Sequence, residues 1–136
     1  MKRKILIFVA VLGLILSGLF ITGKTLLGFI FTTGFDISIY NQTNTKTSGM
    51  KITYMNAVKD IEVPIVEANS TIKLNVNPTE NFGENSMVLY YFDNEGKRHE
   101  ETIVGYFEKG YNGKSNVKIK SIDGVGKLTI EAKEEF

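Results

Sequence analysis

Phe35-Asp36-Ile37-Ser38-Ile39-Tyr40 is the stretch that decides how most of this chain folds. Large apolar side chains stand at 35, 37 and 39, and more polar ones at 36, 38 and 40. Successive side chains of a strand point to opposite faces, so this spacing buries one face and wets the other. A helix would scatter the same residues around its circumference. The pattern recurs downstream. Met50, Ile52 and Tyr54 alternate with Lys51 and Thr53, and Ile72, Leu74 and Val76 with Thr71, Lys73 and Asn75. Ile103, Gly105 and Phe107 run opposite Thr102, Val104 and Tyr106, while Val117 and Ile119 lie among Asn116, Lys118 and Lys120. Leu128, Ile130 and Ala132 close the series. Met87 to Phe92 is apolar at every position, hence on both faces, which predicts a central strand. Ile61, Val63 and Ile65 flank Pro64, whose missing N–H predicts an edge strand or a bend.

The punctuation between these runs agrees with hairpins. Asp93-Asn94-Glu95-Gly96 and Asp123-Gly124 read as tight turns, with glycine supplying positive φ. Asn41 to Gly49 is polar and turn-rich, and Asn77 to Asn85 predicts the longest irregular loop. About eight short strands without an amphipathic helix predict an all-β fold, an antiparallel β-sandwich of immunoglobulin-like type over residues 35–136.

Ahead of this region the pattern changes. Ile5 to Gly23 is 19 residues without a charge, 13 of them Leu, Ile, Phe or Val. As a helix it would be about 28 Å long, close to the roughly 30 Å of a bilayer's hydrocarbon core. Residues 1–34 are therefore expected to be an N-terminal membrane anchor with one transmembrane helix over about 5–23, followed by a juxtamembrane segment. Lys2, Arg3 and Lys4 place the N-terminus inside and the β-domain extracytoplasmic, by the positive-inside rule. Thr25 to Gly34 is too short for a second span and reads as continued helix or interfacial chain. A cleaved secretory signal, releasing the rest, is the competing account; the apolar run is longer than a signal's and lacks a small-x-small site of the right spacing. Gly13 and Ser17, four residues apart, are the positions where the span could pack against another helix.

Charge and composition exclude several functions. Four of the 16 cations precede residue 35 and no anion does, leaving 12 cations against 15 anions, a net charge of −3. No run of Lys and Arg stands out, which argues against nucleic acid. There is no cysteine, hence no disulfide, thiolate metal site, thiol nucleophile or lipid-modified cysteine. Abundant Lys, Asn and Ile, with no Trp or Cys, lean toward a bacterium.

Gly18-Leu-Phe-Ile-Thr-Gly23-Lys24-Thr25 matches the phosphate-loop pattern letter for letter. It lies in the membrane segment with no strand before it, so nucleotide is not expected, nor any other cofactor. His99 is the single histidine and reads as a solvated strand start. No nucleophile or metal-ligand partner is paired with it, so neither an enzyme nor a metal site is expected. The aromatics Tyr90-Tyr91-Phe92 and Tyr106-Phe107 read first as core packing and cross-strand pairs. Partner-binding candidates are Phe82 in the long loop, and Tyr111 and Asn112 between the flexible Gly110 and Gly113. The expected function is a non-enzymatic binding module held at the membrane and facing a protein or envelope partner. The alternatives are an accessory subunit of a membrane complex, or a surface factor protecting against a secreted peptide or toxin.

Overall fold

A computed structural model describes residues 33–136 of the chain. The expected transmembrane helix, with Gly13 and Ser17, lies outside the described residues. Among the described residues no helix is long and apolar enough to cross a membrane.

Residues 33–136 are all-β and sandwich-like, with eight strands: β1 (Phe35–Asn41), β2 (Lys51–Tyr54), β3 (Ile61–Glu62), β4 (Thr71–Val76), β5 (Asn85–Phe92), β6 (Arg98–Phe107), β7 (Gly113–Ile122) and β8 (Leu128–Glu135). They form two four-stranded sheets, ordered β4-β1-β7-β8 and β3-β2-β5-β6. The alternation of β1 is carried into the structure: Phe35, Ile37 and Ile39 are buried, and Asp36, Ser38 and Tyr40 face outward. β5 is central in its sheet, between β2 and β6, as its two-sided apolar pattern predicts, but its outer face is not covered and Phe92 is exposed there. Ile37, Ile39, Val117 and Ile119 of one sheet join Ile52, Met87, Leu89 and Val104 of the other in a single core.

One seam departs from an all-antiparallel sandwich. β1 and β7 pair in parallel, Phe35 beside Gly113 and Asn41 beside Ile119. Parallel neighbours need a long crossover, and here the whole β3-β2-β5-β6 sheet is built between the two strands. β3 is also shorter than its apolar run, because Pro64 has no N–H to continue the ladder.

Along one side the two sheets are tied together by side chains. Ser115 Oγ donates to Ile103 O at 2.6 Å, and the Gly105 N–H donates to Glu134 Oε2 at 2.7 Å. A third tie is Tyr91 of β5, whose hydroxyl accepts from the Leu128 N–H at 2.7 Å. Tyr91→Phe keeps the ring and strands that N–H without its acceptor, so stability should fall by about 1–2 kcal/mol. Urea unfolding gives the loss, and amide exchange at Leu128 should quicken beyond that of its neighbours.

Candidate functional site

Three surfaces carry side chains that could meet a partner. The first is the end of the sandwich at which the chain enters. Gly34 donates its N–H to Asn112 Oδ1 at 2.6 Å and accepts from the Gly113 N–H at 3.3 Å. Its φ is +87°, and a Cβ there would lie 2.4 Å from the carbonyl oxygen of Val76, so only glycine fits. Asn112 is thus engaged in fixing the start of β1. Phe82 is partly buried, edge-on to Phe107 with ring centroids 5.4 Å apart and to Tyr54 at 6.2 Å. It closes the core from the long loop. Tyr111 is 42 % exposed and sits edge-on to Tyr106, the one of the three residues that presents its ring to solvent. Tyr54, beneath this loop, has its hydroxyl pKa pushed up to about 12 by burial and by donation to Glu80.

The second surface is the outer face of β2, β5 and β6. Tyr91 points into the core, while Phe92 is exposed and Tyr90 lies under the Arg98 guanidinium, 3.9 Å from its ring centroid. The Tyr90 hydroxyl donates to Asp60 at 2.5 Å, which holds the Asp60 carboxyl below its usual value. His99 is less solvated than its sequence context implies. Its side chain is only 14 % exposed, stacked on Tyr91 and bonded through Nε2 to Asp93 Oδ2 at 2.8 Å. The same carboxylate accepts from the N–H groups of Glu95 and Lys97 and so closes the Asp93 turn. His99 therefore serves the hairpin. Among the described residues no group of three His, Cys, Asp or Glu side chains could hold a metal ion.

These bonds keep the Asp93 carboxyl below its usual 3.8, the His99 bond being the largest cause. A lowered folded-state pKa stabilises the fold above the unfolded value of about 3.9 and loses that contribution as pH falls through the folded value. Thermal midpoints measured from pH 6 downward should therefore drop below about pH 4. Asp93→Asn should be less stable at pH 6 and show a shallower acid limb.

The third surface is the outer face of β4-β1-β7-β8, where strand pairing sets lysines beside short polar side chains. Lys73, Ser38, Asn116 and Lys133 lie in one row across the four strands. The next rows bring Asp36 beside Lys114 and Tyr40 beside Lys118. Two clefts of about 660 and 280 Å³ open on this face and share Ser38 and Asn116. Glu131 is ion-paired to Lys120, and Lys133 lies 3.7 Å from Glu135. This face is inconspicuous in the sequence because its lysines are scattered along the chain and look well mixed. Its one local signal is the period of two in Lys114-x-Asn116-x-Lys118, which puts all three on one side of β7.

No family model matches the chain, and no curated protein matches it. An NMR structure of a protein from Eubacterium rectale is similar to it, at 16 % identity and a TM-score of 0.42, covering 74 % of this chain and 87 % of that one.

Proposed function

We propose that this protein is a membrane-anchored, extracytoplasmic and non-enzymatic binding module of a bacterial cell surface, its sandwich of immunoglobulin-like type. The observation that carries the reading is where the chain enters the sandwich. Thr33 and Gly34 are fixed at one end of the sandwich, beside Asn77 and Asn112, so a tether ahead of them joins the domain at that end. The charge-free run over residues 5–23 supplies the anchor, and Lys2, Arg3 and Lys4 its orientation. The immunoglobulin-like assignment is supported by β1 and β4 pairing antiparallel in one sheet, opposite β3-β2-β5-β6 in the other. The parallel β7 then takes the place beside β1 on its other side.

The test is a C-terminal tag and external protease on intact cells, with photo-crosslinkers at Tyr111 and at Asn116. Digestion of the tag and capture of a discrete partner from either position support the module. A tag shielded by the intact membrane, or a mature chain found free in the medium, overturns the anchor. Capture only from positions around Gly13 and Ser17 in the span would favour an accessory subunit of a membrane complex.

A further inference from the structure

We propose that the outer face of the β4-β1-β7-β8 sheet binds an extended anionic glycan or polyol, a hydroxylated chain bearing phosphate or carboxylate groups. Only the choice of ligand class rests on the extracytoplasmic reading. Charge points to it first. This face carries five lysines (73, 114, 118, 120 and 133) against three carboxylates, those of Asp36, Glu131 and Glu135. The remaining side chains of residues 33–136 number seven cations and 12 anions. A mildly acidic domain thus folds with one locally basic face, which concentrates anions there by long-range attraction.

Shape points the same way. In the central row Ser38 and Asn116 are the short side chains, and Lys73 and Lys133 stand at its two ends. Three strand spacings separate those ends, about 14 Å. The result is a trough floored by a hydroxyl and an amide and bordered by lysine ammonium groups. A chain lying across the strands would offer its hydroxyls to Ser38 and Asn116 and its anionic groups to Lys73, Lys114 and Lys118. Chemistry separates this occupant from others. None of the large hydrophobic side chains exposed among the described residues is on this face. A peptide or a lipid surface would draw on such side chains as anchors. A polyhydroxylated polyanion needs none of them.

The test uses the full chain in neutral-detergent micelles, titrated by calorimetry with two probes, poly(glycerol phosphate) and an oligogalacturonate. Either or both should bind, more weakly as salt rises, and the one that binds tells phosphate from carboxylate. Uncharged dextran should not bind. Lys73→Gln with Lys114→Gln should weaken binding about tenfold, the size expected for two exposed charge contacts. Asn116→Ala should weaken it further, whereas Lys46→Gln with Lys97→Gln, both in exposed loops away from this face, should leave it unchanged. Failure of both anionic probes overturns the proposal. So does equal binding of polyglutamate, a DNA oligonucleotide or dextran, or an equal loss in the Lys46 and Lys97 variant. A protease-shielded tag on intact cells would count against the anchor and leave this titration untouched.

Discussion

Phe107→Ala is expected to lower the stability of the domain by about 3–5 kcal/mol, the range for truncating a buried phenylalanine. Phe107 ends β6 with no exposed surface. Its ring centroid lies 5.1 Å from that of Phe35, 5.4 Å from Phe82 and 6.3 Å from Tyr54, all edge-on. Three parts of the fold therefore converge on one ring: the first residue of β1, the last of β2 and the long loop before β5. Truncation opens a void at the end of the sandwich and removes three aromatic contacts, each worth about 0.5–1.5 kcal/mol beyond its buried area. A domain of this size is stable by about 5–15 kcal/mol, so the variant should lie near the edge of folding at 37 °C. The chain has no tryptophan, which makes tyrosine fluorescence and far-UV dichroism the readouts for urea unfolding. Tyr111→Ala at the same end should stay within about 0.5 kcal/mol of wild type, as exposed positions do. A loss below about 1 kcal/mol in Phe107→Ala would show that this ring is not the keystone of that end.

Strands are legible in the amino-acid sequence wherever burial is one-sided, because the period of two is then written directly into side-chain type. β1, β4 and β8 begin at the positions the alternation gives; Asp93–Gly96 forms the β5–β6 turn, and Asp123-Gly124 falls in the β7–β8 turn, which runs on to Gly126. In the second turn Gly126, not Gly124, takes the positive φ, at 85°. Extension of β6 back to Arg98 is less visible, since Arg98, His99, Glu100 and Glu101 carry no apolar alternation and are ordered by pairing with β5. The parallel partnership of β1 with β7 is not legible at all. Residues so far apart in sequence meet because both bury the same face, and nothing local records which pair will be neighbours. The lysine-bordered trough is hidden for the same reason, since Lys73 and Lys133 become row-mates only through the order β4-β1-β7-β8. By contrast Phe82 and Asn112 stand out as unusual loop residues, and the structure gives each a structural contact: one plugs the core, and the other fixes Gly34.

Asn41→Asp should be the most damaging single-atom exchange in the domain, costing more than Asn41→Ala. Asn41 ends β1 with no exposed surface and uses both ends of its amide. Its Nδ2 donates to the carbonyls of Thr45 at 2.8 Å and Val66 at 3.1 Å, while Oδ1 accepts from the Thr43 N–H at 3.0 Å and the Thr43 hydroxyl at 2.8 Å. One buried side chain thus holds the β1–β2 connection against the segment that follows β3. Alanine deletes these bonds and leaves their partners short of water, a loss of about 2–6 kcal/mol for two unsatisfied groups. Aspartate retains the two accepted bonds and turns a second oxygen toward two carbonyl oxygens. Both the buried charge and that facing of acceptors oppose ionisation, so the carboxyl's folded pKa should rise above the unfolded value. The sign of its pH dependence follows. The penalty is present in full above the folded pKa and vanishes below the unfolded one, so Asn41→Asp should regain stability as pH falls from neutral toward about 5. Wild type and Asn41→Ala should show no such recovery. Urea midpoints of the three proteins at both pH values measure this, and a pH-independent deficit in Asn41→Asp would mean that water reaches the site and solvates the carboxylate.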